Sequence, residues 1–66
     1  MYMNGQMIYK DRHFQDHIIH QVPVQIYWGR KHSDIGFIDR YSQDYVSINN
    51  VYYSRKQFTF VSRPGY

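Results

Sequence analysis

Two basic clusters, Arg30-Lys31-His32 and Arg55-Lys56, sit among tyrosines and phenylalanines, and that mixture suggests one kind of chemistry. A cation neutralises a phosphate and releases its counterions, while an aromatic face stacks on a base for about 1–3 kcal/mol each. Tyr27 and Trp28 precede the first cluster, Tyr52 and Tyr53 precede the second, and Tyr41 and Tyr45 lie between. Neighbours along a strand point to opposite faces, so one member of each adjacent pair stays exposed or enters an interface. Tyrosine is also enriched at subunit interfaces, and both uses remain open at this stage.

Other reactive types are sparse. His13, His17 and His20 fall at i, i+4 and i+7, a spacing that can bring two imidazoles onto one metal, although no fourth ligand lies nearby in sequence. The alternative is a solvated polar helix face titrating near pH 6.5. There is no nucleophile elbow, no phosphate-cradling glycine loop and no recognisable carboxylate pair. His32-Ser33, the one Ser-His neighbour pair, occupies adjacent positions that rarely face each other. The chain is therefore expected not to be an enzyme and to need no cofactor, metal or small-molecule substrate.

With 66 residues the chain makes one domain with little core to spare, and with no cysteine it has no disulfide or thiolate site to reinforce it. Oligomerisation is the expected reinforcement. The eight Lys and Arg against five Asp give a net charge of +3, and aromatics are 20% of residues, a balance that suits nucleic acid better than an acidic partner. No apolar run is long enough for a membrane span, and MYMNGQMIYKDRH lacks the form of a signal peptide, so a soluble, cytoplasmic protein is expected.

The elements that must position these residues follow from periodicity. Residues 1–10 show no period and read as a loose arm, ahead of a single domain over 11–66. Asp11 can cap a helix whose apolar stripe is Phe14, Ile18, Ile19 and Val22. Five short strands follow, VPVQIYW, DIGFIDRY, DYVSI, VYYS and QFTFV, divided by GRKHS, SQ, NN and RK. Asn49-Asn50 suits a tight hairpin, Gly29 a turn and Gly36 a bulge or sharp bend. Pro23, which has no N–H to donate, marks where helix gives way to strand. The order predicts a mainly β fold: a short N-terminal helix, then a five-stranded, strongly bent Sm-like (SH3-like) barrel.

Three stretches, QVPVQIY with Tyr27 in its aromatic place, GFIDRYS thirteen residues on from Pro23 to Gly36, and VYYSRKQFTFVSRP, together resemble Hfq, the bacterial Sm-like RNA chaperone family. The similarity spans most of the chain, and order and spacing carry it more than any one motif. It implies a ring, a hexamer in that family's manner, in which the fourth strand of one subunit pairs with the fifth of the next. It also implies RNA held on the ring faces in post-transcriptional regulation, with Tyr27 and Gly36 in the adenine-binding pocket. Tyr53 and Ser54 stand where the family has a lysine and a histidine, so the uridine site is expected to be weak. The candidate RNA-binding set is Tyr27, Arg30, Lys31, Gly36, Tyr45, Tyr53, Arg55 and Lys56. The alternative is a small barrel that binds a protein, such as a phage-type inhibitor or a spore-associated structural module.

Overall fold

The computed structural model describes residues 2–66. A two-residue strand, β1 (Met7–Ile8), comes first, followed by one helix, α1 (Asp11–Ile19). Six further strands complete the chain: β2 (Val24–Trp28), β3 (Lys31–Gly36), β4 (Ile38–Tyr41), β5 (Tyr45–Ile48), β6 (Val51–Ser54) and β7 (Thr59–Ser62). They form two antiparallel sheets, β1-β7-β2-β3 and β4-β5-β6. Ile8, Phe14, Val24, Ile26 and Phe60 meet Ile38, Val46, Ile48 and Tyr53 in one buried core between them.

The expected second strand is two strands, because the chain bends at Gly36-Phe37. A Cβ on Gly36 would lie 2.8 Å from Asn49 Nδ2 and 3.1 Å from Ile48 Cγ2, so only glycine lets the corner close against the β5–β6 hairpin. That hairpin turns on Asn49 and Asn50, both with positive φ (54° and 65°), the requirement of a type I′ turn. The first turn is shorter than GRKHS: Trp28 pairs with Lys31 across Gly29-Arg30, so Lys31, His32 and Ser33 belong to β3. Ser33 is an extra residue in the ladder, since Tyr27 pairs with His32 and Ile26 with Asp34.

The sheets do not close into the expected barrel, and the reason lies in the segment expected to be a loose arm. Met7 pairs with Val61 and Ile8 with Phe60, Gly5 N–H donates to the Ser62 carbonyl at 2.8 Å, and Ser62 N–H donates to the Gln6 carbonyl at 2.8 Å. Since β2 covers the other side of β7, both edges of that strand are paired within the chain. Beyond β5, β6 has no strand partner among the described residues. A ring made by pairing β6 with a neighbour's β7 would require β1 to leave first. Met1, the start of the expected arm, lies outside the described residues.

The helix also differs in detail from its expected stripe. Its N-cap is Lys10, with Asp11 in the first turn. His13 Nδ1 accepts from the Tyr9 and Lys10 backbone amides at 3.0 and 3.1 Å, so a histidine supplies the acceptor that the capping position lacks. At about 100° per residue, Ile19 lies roughly 140° from Phe14 and about 100° from Ile18, off the face they share; it is 60% exposed, while His17 is 1% exposed. The helix ends in a Schellman motif, with Val22 N–H on the His17 carbonyl at 3.0 Å and Gln21 N–H on the Ile18 carbonyl at 3.3 Å. Gln21 takes the left-handed position (φ 52°) that glycine usually fills, and Pro23 follows.

Candidate nucleic-acid interface

Alternation along β2 buries Val24 and Ile26 and leaves Gln25 and Tyr27 on the outer face of the larger sheet. A polar lattice crosses that face. Arg63, just past β7, donates from Nε to Gln25 Oε1 at 2.7 Å and from Nη2 to the Tyr27 hydroxyl at 3.2 Å. Gln25 Nε2 and His32 Nδ1 are 2.8 Å apart, and the His32 ring stands edge-on to Tyr27 at 6.4 Å. Tyr27 is thus a half-buried ring held upright in the middle of a sheet, with a guanidinium at its hydroxyl end. Arg30 and Lys31, both exposed, lie where β2 and β3 join; Lys31 is directly opposite Trp28, so it leaves the sheet on the side away from Tyr27 and reaches round the strand end. Tyr27, Arg30 and Lys31 are expected from the sequence; Arg63 and Gln25, which the structure places against Tyr27, are not, although the two-residue step from Gln25 to Tyr27 puts Gln25 on the same face.

Trp28 does not widen this platform. It points to the other side, where it packs on Phe58 (ring centroids 4.9 Å apart), which packs in turn on Tyr53 at 5.1 Å. Tyr53 was a candidate base-stacking residue, and the structure corrects that assignment. Its ring is 9% exposed, and its hydroxyl donates to Asp34 Oδ2 at 2.8 Å. Asn49 Nδ2 donates to the same carboxylate at 3.2 and 3.3 Å and to the Ile35 carbonyl at 3.1 Å, tying the hairpin tip to β3. Burial would raise the Asp34 carboxyl, but bonds from Tyr53, the Ile35 amide and Asn49, with His32 nearby, hold it below the usual range. Burial and that same bond push the Tyr53 phenol up to about 12. Gly36 is likewise a packing position, half-buried at the corner against Asn49 and Ile48.

Arg55 is corrected too. Its Nη1 donates to Asp11 Oδ1 at 2.7 Å and to the Ser42 carbonyl at 2.6 Å, and its Nη2 to the Tyr9 carbonyl at 3.1 Å. The guanidinium carbon lies 4.7 Å from the Phe14 ring centre. One side chain thereby joins the segment before the helix, the helix start and the β4–β5 turn, and its charge is engaged at home. Lys56 beside it is exposed. Tyr45 is exposed on β5, in the other sheet from Tyr27.

Of the histidine series only His20 is exposed; His13 is half-buried and His17 is buried. His17 Nδ1 lies 2.6 Å from the His13 carbonyl and His17 Nε2 lies 2.7 Å from Ser62 Oγ, so a buried imidazole bridges the helix to β7. Tyr2 covers it, with ring centroids 4.4 Å apart and the Tyr2 hydroxyl donating to Asp16 Oδ2 at 2.7 Å. Burial holds both His13 and His17 below the ordinary histidine value; for His13, Lys10 and Arg12 add to it. No group of three His, Cys, Asp or Glu among the described residues is placed to hold a metal. No helix among them is long and apolar enough to cross a membrane.

No family model, curated protein or solved structure matches this chain.

Proposed function

We propose that this chain is an RNA-binding protein that holds single-stranded RNA on the outer face of its larger sheet and performs no bond chemistry on it. The observation that carries this reading is the Tyr27 platform: one upright aromatic ring on a rigid strand, tied to Arg63 and Gln25, with Arg30 and Lys31 exposed at the strand end. Stacking on the ring tolerates any base, and the two cations at the strand end answer phosphates of the backbone that runs past it. The resemblance to Hfq points to the same ligand. The reading does not depend on that family's ring, since a single chain carries the platform. Purine-rich RNA, with the larger stacking surface, should outcompete oligo(U) on Tyr27. The test is filter binding of oligo(A) and oligo(U) to the parent chain and to Tyr27→Ala. The reading expects oligo(A) to bind more tightly and Tyr27→Ala to lose roughly ten- to a hundredfold. Equal binding by parent and variant would overturn it.

One observation favours the protein-partner alternative. Among the described residues the outer edge of β6 is unpaired, and Val51 and Tyr52 on it are exposed, so a partner strand could extend the smaller sheet. An interaction insensitive to salt would identify that mode.

A further inference from the structure

The outer face of the smaller sheet carries a second aromatic cleft. Arg40, Ser47 and Tyr52 lie in one row across β4, β5 and β6, each directly opposite the next. Strands are about 4.8 Å apart, so Arg40 and Tyr52 rise from strands about 10 Å apart with only the small Ser47 between them. Tyr45, two residues along β5, stands on the same face. Together with Tyr41 and Ser42 these residues enclose a cleft of about 220 Å³. Tyr52 is 61% exposed and Tyr45 49% exposed, Ser47 is covered at the base, and Arg40 makes no ion pair among the described residues. The volume is below the roughly 300–1,000 Å³ of sites for drug-sized molecules, which limits the occupant to a single small planar group.

We propose that this cleft takes one nucleobase of a single-stranded nucleic acid, stacked on Tyr52 and Tyr45, with the adjoining phosphate on Arg40. Two exposed phenol rings supply the stacking surface, the free guanidinium supplies the counter-charge, and the small Ser47 leaves the space between them. The site lies on a different sheet from Tyr27, so one chain would grip a strand at two points and gain effective concentration at the second. The inference rests on reading the protein as a nucleic-acid binder, and the experiment separates the two.

The experiment is a pair of amide-resolved NMR titrations, with AMP, adenosine and inorganic phosphate as small probes and with oligo(A) as the strand. Both are repeated on Tyr52→Ala, Tyr52→Phe and Arg40→Gln. The expected result is that AMP moves the amides of Arg40, Tyr45, Ser47 and Tyr52, adenosine moves the same set at higher concentration, and phosphate alone moves at most Arg40. Tyr52→Ala should weaken oligo(A) roughly tenfold, whereas Tyr52→Phe, which keeps the ring, should not. An unchanged thermal midpoint for Tyr52→Ala confirms that folding is intact. Oligo(A) shifts confined to the Tyr27 and Arg63 face overturn this site and leave the function proposed above standing. Cleft shifts with AMP, but oligo(A) binding indifferent to Tyr27→Ala, would do the reverse. Cleft shifts with a tyrosine-containing peptide and none with AMP would assign the cleft to a protein partner and overturn it.

Discussion

Replacing Arg55 separates a structural clamp from a phosphate contact. Arg55→Ala removes the bond to Asp11, the bonds to the Ser42 and Tyr9 carbonyls, and the contact with the Phe14 ring. The Asp11 side chain is 71% exposed, so solvent screens that pair and its share is under about 1 kcal/mol. Each carbonyl loses a charged donor, worth about 1.5–3 kcal/mol when no water replaces it and less where water can enter. The ring contact adds about 0.5–1 kcal/mol. The arginine side chain is only 15% exposed, so replacement by water is partial and the sum is about 2–4 kcal/mol. For a domain of this size that lowers the melting midpoint by roughly 10–30 °C. Asp11→Asn should lose under about 1 kcal/mol, because it leaves both carbonyl bonds in place. Thermal melts by circular dichroism read both variants. An Arg55→Ala protein that melts within about 3 °C of the parent, yet has one phosphate contact fewer in its salt dependence, would refute the clamp.

Three further outcomes follow from the same coordinates. Gln21→Gly should stabilise by about 0.5–1 kcal/mol, because glycine takes the left-handed position (φ 52°) at the end of α1 without a Cβ clash; a lower melting midpoint would count against the Schellman assignment. Gly36→Ala should lose about 1–3 kcal/mol through the 2.8 Å approach to Asn49, read as a lower urea midpoint with an unchanged slope. His13 and His17 both have lowered folded values, so the unfolded chain binds more protons below about pH 6.5. Their contribution is complete above that pH and is lost as the pH falls toward the depressed values. Melts at pH 7.5 and pH 5 should show the drop, and His17→Gln should flatten it; a midpoint that rises on acidification would contradict the sign.

How much of this was legible in the sequence varies by element. The Asn49-Asn50 hairpin and the Pro23 boundary could be read because each depends on local backbone chemistry, and the bend at Gly36 because a residue without a side chain inside a strand pattern marks a close approach. The pairing of Met7–Ile8 could not, since two residues carry no period and their strand exists only because β7 offers an edge. That same unseen strand is why the predicted barrel is two open sheets. His17 and Arg55 were misplaced for a related reason: their types suggest solvent, and their burial depends on partners 45 and 44 residues away. Tyr27 is singled out by the QVPVQIY resemblance, and strand alternation puts it on the outer face; Arg63, which bonds its hydroxyl, comes from the far end of the chain.

If RNA is held by stacking on Tyr27 and by the free cations at the end of its strand, the most direct measurement is the salt dependence of oligo(A) affinity by fluorescence anisotropy. Single-strand binding should give a slope of about −0.7 per phosphate neutralised. The account predicts a steep fall in affinity with salt, a slope reduced by Arg30→Gln and by Lys31→Gln but unaltered by Asp11→Asn, and a Tyr27→Ala variant that binds weakly at every salt concentration with the parent's slope. A salt-independent affinity, or a Tyr27→Ala line that coincides with the parent's, would contradict it.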